Sequence, residues 1–106
     1  MTEPASPPAS GGVDFLAHRQ GDDVAVAVRD TGPGDARAAY LDSGDRFGIT
    51  ARDAIPLGHK IALRDLGDSE NVLEYGALIG LTRGPVAAGE LMHTHNLRSA
   101  RWQKSV

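Results

Sequence analysis

Along this chain the apolar residues come in short alternating runs, broken every few positions by glycine, proline and aspartate. Val24-Ala25-Val26-Ala27-Val28 places its valines on one face and its alanines on the other, the period-two signature of a strand. The run stops at Asp30-Thr31-Gly32-Pro33-Gly34-Asp35, whose glycines admit positive φ and whose proline fixes φ near a turn value, so the chain reverses there. Residues 36 to 45 read two ways: Ala36 to Leu41 suits a helical turn, Asp42-Ser43-Gly44-Asp45 suits a tight turn, and a hairpin excursion is expected. Further strands are expected near 46–51, 59–65, 71–75, 77–83 and 90–96, with order beginning around Phe15 and Leu16. No amphipathic helix interrupts them, and the fold class predicted is a small all-β domain.

The breaks themselves recur. Arg52-Asp53-Ala54-Ile55-Pro56-Leu57-Gly58-His59 and Arg83-Gly84-Pro85-Val86-Ala87-Ala88-Gly89-Glu90 share an arginine, an aliphatic three positions on, and a glycine before a polar residue, 31 residues apart. A variant one residue shorter occurs at Arg29-Asp30-Thr31-Gly32-Pro33-Gly34-Asp35 and at Arg64-Asp65-Leu66-Gly67-Asp68-Ser69-Glu70, 35 residues apart. Each reads as a strand ending in arginine, a turn that tucks one aliphatic into the core, and a reversal. Chance recurrence and true pseudo-symmetry both remain open at this level.

Length and charge narrow the function classes. A chain of 106 residues is one domain, large enough for a modest core but not for a large enclosed active site, so any chemistry needs help from elsewhere. With no cysteine there is no disulfide, thiolate nucleophile or cysteine-ligated metal, which suits the cytoplasm. Fourteen acidic against eleven basic side chains, net −3, disfavour nucleic acid as a partner. No apolar run approaches a membrane span and the N-terminus lacks a signal-peptide pattern, so a soluble, unexported protein is expected, with no membrane partner. Residues 1–12, rich in proline, alanine, serine and glycine, read as a disordered tail; 13–97 form the domain; 98–106 form a cationic C-terminal tail whose Trp102 is either frayed or a docking residue.

Two segments could carry chemistry. In a strand, His93 and His95 of His93-Thr94-His95-Asn96 would share a face with Cα atoms roughly 6.5 to 7 Å apart, able to meet one ion or substrate. The plainer alternative is a pair of solvated histidines, and two ligands alone do not close a zinc site. Gly58-His59-Lys60 places an imidazole and an ammonium at the head of a strand, where a carboxylate or enolate could be engaged, or where a turn simply has charged flanks. Tyr75-Gly76 and Ile79-Gly80 bracket a short apolar stretch and read as a kink or bulge. His18 has no patterned neighbours and reads as surface. No P-loop, dinucleotide fingerprint, Gly-x-Ser-x-Gly or His-Glu-x-x-His occurs.

Taken in order, Asp23 to Val28, Ile55 to Leu63 with Gly58-His59-Lys60, Tyr75-Gly76-Ala77-Leu78-Ile79-Gly80 and Ala88 to Asn96 with His93-Thr94-His95-Asn96 resemble the SAF-type domain of the altronate and galactarate dehydratases (UxaA type) and the small subunit of sulfolactate sulfo-lyase. The resemblance spans about residues 15 to 99. It implies a β-clip fold and a division of labour, in which a large catalytic subunit or domain carries out a metal-assisted elimination of water or sulfite from a hydroxylated carboxylic acid such as a sugar acid. This chain would be the small partner, a lyase component only together with the large one. The resemblance further implies His59, Lys60 and Asn96 in catalysis, Lys60, Tyr75 and Asn96 toward a small carboxylate substrate, and His93 and His95 on a divalent metal such as iron or zinc.

Two positions depart from the family pattern: Glu74 stands where lysine commonly precedes Tyr-Gly, and Asp22-Asp23 where Asp-Asn is common. An anion near a carboxylate site is unfavourable, more so in a low dielectric. A stand-alone SAF module binding a small acidic ligand or a protein partner without catalysis is therefore the alternative. Edge strands in a small β domain also admit a homodimer.

Overall fold

The computed structural model describes residues 12–99. The tail expected over residues 1–11 and the docking residue Trp102 lie outside the described residues. Nine strands account for the regular structure: β1 (Phe15–Ala17), β2 (Val24–Ala27), β3 (Gly34–Tyr40), β4 (Arg46–Ala51), β5 (Lys60–Ala62), β6 (Asn71–Glu74), β7 (Ala77–Thr82), β8 (Leu91–Met92) and β9 (Leu97–Ser99). No α-helix occurs among the described residues, so the all-β expectation holds.

Six strands form one curled sheet in the order β4-β3-β1-β2-β5-β8, antiparallel except for the β1–β3 pair, and β6-β7-β9 form a second antiparallel sheet. The alternation read in β2 is realised, with both faces covered. Ala25 and Ala27 face one core cluster around Phe15, Ile55 and Ile61, while Val24 faces a second around Leu66, Val72, Val86 and Met92. The excursion over 36–45 is a hairpin, β3 and β4 joined through residues 41–45. Alanine's helix propensity is overridden there because Ala36 and Ala38 are buried and β3 has ladder partners on both sides.

The recurring breaks are structural equivalents. Thr31 and Ile55 exchange backbone hydrogen bonds (2.9 and 2.8 Å), and so do Leu66 and Val86 (2.7 and 2.8 Å). In each pair the preceding aspartate caps the partner turn: Asp30 accepts from Leu57 N–H at 2.8 Å, Asp65 from Ala88 N–H at 2.9 Å. The following turns also correspond, since Gly58 donates to the carbonyl of Ala27 and Gly89 to that of Ala62, with φ of 85° and 92°. Positive φ at the third turn position is why glycine stands at both. The tucked aliphatics Ile55, Leu66 and Val86 are 0%, 3% and 2% exposed, as a core-filling role requires.

Two expectations need correction. β8 stops at Met92, and residues 93–96 form a turn rather than the continuation of a strand. Leu97–Ser99, expected to open into the C-terminal tail from residue 98, is a strand paired with β7, because Leu97 packs against the second core cluster opposite Thr82.

Candidate functional site

The turn Pro56–His59, closed by His59 N–H on the Pro56 carbonyl at 2.9 Å, delivers His59 to the head of β5. Lys60 follows, paired across the ladder with Met92 at the end of β8. Beyond Met92 the chain turns sharply, and the device that turns it is Asn96. Its Oδ1 accepts from His93 N–H at 2.9 Å and its Nδ2 donates to the Leu91 carbonyl at 2.8 Å. The backbone N–H of Asn96 closes the turn on the His93 carbonyl at 3.0 Å, and its own carbonyl receives Arg83 N–H from the end of β7 at 2.9 Å. Asn96 is 7% exposed, with both amide atoms committed to backbone.

The consequence is that His93, not a His93/His95 pair, is brought to His59. Their ring centroids are 5.2 Å apart with an interplanar angle of 36°. Between this pair, the β6–β7 hairpin and β9 lies an open cleft of about 410 Å³, with Lys60 and Glu74 on its polar side and Ile79, Met92 and Leu97 on its apolar side. His95 is exposed on the turn and does not line the cleft. The strand premise that aligned it with His93 fails because the Asn96 turn ends the period of two.

Tyr75 also lies off the cleft, at the tip of the β6–β7 hairpin. Tyr75 and Gly76 both have positive φ (58° and 73°), the requirement of a two-residue hairpin turn that follows the strand twist. An aromatic residue in that region is strained, and its ring is held by neighbours: the His18 ring at 4.7 Å and the Arg19 guanidinium at 4.8 Å. The bulge foreseen near Ile79-Gly80 is present as a register shift opposite Val72 and Leu73.

His18, read from sequence as surface, belongs to the polar rim of this region. Glu74 stands between it and Lys60, with N···O separations of 4.0 Å to His18 and 3.9 Å to Lys60. No local pattern could show this, because Glu74 is 56 positions away in the chain. The departure at Glu74 is thus locally balanced by the Lys60 ammonium. The aspartate departure is balanced as well. Asp23, 2% exposed, accepts from Arg64 Nε at 2.7 Å and from Leu73 N–H at 2.8 Å, joining the two sheets. That hydrogen bond to Asp23 is the main reason the Arg64 guanidinium holds its proton more tightly than usual, with Glu70 adding to it at 2.9 Å. Glu70 is pushed below the usual carboxylate range, first by the Gly67 N–H it accepts at 2.7 Å and then by Arg64. Asp22 holds the neighbouring loop, accepting from the N–H groups of His18 and Arg19 at 3.1 and 3.3 Å.

A metal needs three or four convergent donors. Among the described residues no three His, Asp or Glu side chains converge in that way, so the described residues do not by themselves complete such a set. What the cleft does supply is two touching imidazoles, an ammonium, a carboxylate and an apolar wall.

A family model of the altronate/galactarate dehydratase SAF domain matches residues 13–100. The chain belongs to this SAF-domain family. The (2R)-sulfolactate sulfo-lyase subunit alpha of Chromohalobacter salexigens is 36% identical over 92 residues, covering 85% of this SAF domain's chain and 98% of that subunit. The corresponding subunit of Paracoccus pantotrophus is 41% identical over 56 residues, 53% of this chain and 84% of the subunit. The altronate dehydratase of Escherichia coli is 37% identical over 78 residues, which are 74% of this chain but 15% of that protein. The SAF domain is therefore the size of the sulfo-lyase subunit and about one seventh of the dehydratase. No helix among its described residues is long and apolar enough to cross a membrane.

Proposed function

We propose that this chain is the small subunit of a lyase that eliminates water or sulfite from a hydroxylated carboxylic acid, and that it acts by presenting the His59–His93 cleft to a large catalytic subunit. The observation that carries the reading is the match to a sulfo-lyase subunit over nearly that subunit's whole length, combined with an open cleft in which imidazole and ammonium side chains converge. Imidazole serves as a proton carrier near neutral pH, and an ammonium orients a carboxylate.

An open cleft exposes its contents to water, so the elimination needs a cover. Leu57, Leu73, Tyr75 and Leu78 are exposed large apolar residues, and each adjoins a cleft-lining position, Gly58, Glu74 or Ile79. A large subunit seated there would bury them and close the cleft. Such a partner would hold the divalent metal implied by the family resemblance, since among the described residues no three such donors converge. When bound, that metal would supply Lewis-acid assistance to the departing group. His59 and Lys60 are then the residues of this chain nearest the acid substrate, His93 stands beside them, and Asn96 acts through the turn it fixes. A reducing cytoplasm suits a cysteine-free chain of this kind.

Co-expression with a large subunit of the dehydratase or sulfo-lyase type tests this. The expected result is a stable complex and elimination from altronate, galactarate or sulfolactate only when both chains are present. Failure to form a complex, or full turnover by the large chain alone, would contradict the proposal.

A further inference from the structure

We infer that His59 and His93 meet in opposite tautomers, their Nε2 atoms offering one hydrogen-bond acceptor and one donor to the cleft, and that the group this pair is built to hold is a hydroxyl. The identity of the guest rests on the functional reading above; the state of the rings does not.

His93 is fixed by its own turn. The Thr94 backbone N–H lies 2.8 Å from His93 Nδ1, and the Thr94 hydroxyl lies 3.4 Å from the same atom. A backbone N–H can only donate, so Nδ1 carries the lone pair and the proton of the neutral ring sits on Nε2. The neighbour of His59 Nδ1 is of the opposite kind. That Nδ1 lies 3.5 Å from the Leu57 carbonyl, which can only accept, so the contact is attractive with the proton on Nδ1 and leaves the lone pair on Nε2. Neither Nε2 has a partner among the described residues.

His59 and His93 both line the cleft with ring centroids 5.2 Å apart, and the proposed guest is one oxygen that meets both rings. A carboxylate or sulfonate oxygen accepts from His93 but meets a lone pair on His59. A cation binds the lone pair of His59 but faces the N–H of His93. A hydroxyl satisfies both, donating to His59 Nε2 and accepting from His93 Nε2–H. This assigns the imidazole pair to the hydroxyl of a hydroxy acid and leaves its anionic end to other groups.

Long-range 1H–15N spectra of the chain at a pH above imidazole titration read the tautomers directly. The expected pattern is a protonated Nδ1 in His59 and a protonated Nε2 in His93; a protonated Nε2 in both rings would overturn the inference. Titration with glycolate against acetate reads the guest: glycolate should bind about fivefold to tenfold more tightly, the worth of about one hydrogen bond, and should shift both Nε2 signals. Equal binding, or no shift at either ring with either acid, would overturn the hydroxyl assignment. In His59→Gln, which keeps an acceptor near the ε position, the preference for glycolate should survive, whereas His59→Leu should abolish it. These measurements use the free chain, so they can fail while assembly with a large subunit succeeds, and the reverse.

Discussion

At position 96 an amide is enclosed with its oxygen on the N–H of His93 and its nitrogen on the carbonyl of Leu91. The cost of desolvating both atoms is offset by those bonds, and removing the side chain takes the partners from two part-buried backbone groups. Asn96→Ala should therefore lower stability by about 1–3 kcal/mol in urea denaturation, and should weaken the His59–His93 contact as the turn loosens. Glu70 carries a pH dependence whose sign follows from its lowered pKa. A carboxylate held below its ordinary value contributes stability above that value and loses it as pH falls through the folded value. The stability difference between the wild type and Glu70→Gln should accordingly shrink between neutral pH and pH 3, and it should be small because Glu70 is solvent-facing. A constant difference across that range would contradict the assignment. The residue level is also where the sequence was least legible. His93 and His95 look alike at a spacing of two, and only the burial of Asn96 separates them. His18 acquires its place from Glu74 and Tyr75 in a distant hairpin.

At the level of elements, two glycines are required by close approach. A Cβ on Gly89 would overlap the Thr50 carbonyl oxygen, and one on Gly80 would overlap that of Arg98. Gly89 also sits at φ 92°, so Gly89→Ala should cost about 3 kcal/mol or more and lower the thermal midpoint of the whole domain. Gly80→Ala should act mainly on the β7–β9 pairing, displacing the cleft wall at Leu97 and Ser99. Hydrogen exchange should show faster opening of residues 97–99 with β1 to β5 still protected; uniform loss of protection would contradict that division. Much of this level could be read in advance. The breaks that open on arginine, with their spacings of 31 and 35 residues, mark two pairs of turns that share a reciprocal backbone pair, an aspartate cap and a positive-φ glycine. β3 was ambiguous because an alanine-rich segment has no strong preference until neighbouring strands claim it.

On the scale of the whole molecule, the proposed partner surface rests on an open cleft flanked in sequence by the exposed Leu57, Leu73, Tyr75 and Leu78. Fold class and family were legible because the motif order samples most of the chain, and 36% identity over 98% of a sulfo-lyase subunit agrees with that reading. The partner's contribution was not, since nothing in a single chain encodes the surface that covers it. In a complex, the exposed apolar residues should become protected, and Leu57→Asp or Tyr75→Asp should weaken assembly by tenfold or more if they lie at the energetic centre, about 1.4 kcal/mol or above. The most direct measurement is a titration of this chain into a fixed amount of large subunit, followed by elimination turnover. The account predicts turnover that rises from near zero to a plateau with the wild-type chain, and a much lower plateau with His59→Leu at equal complex formation. Turnover already complete before the chain is added, or the same plateau for both chains, would contradict it.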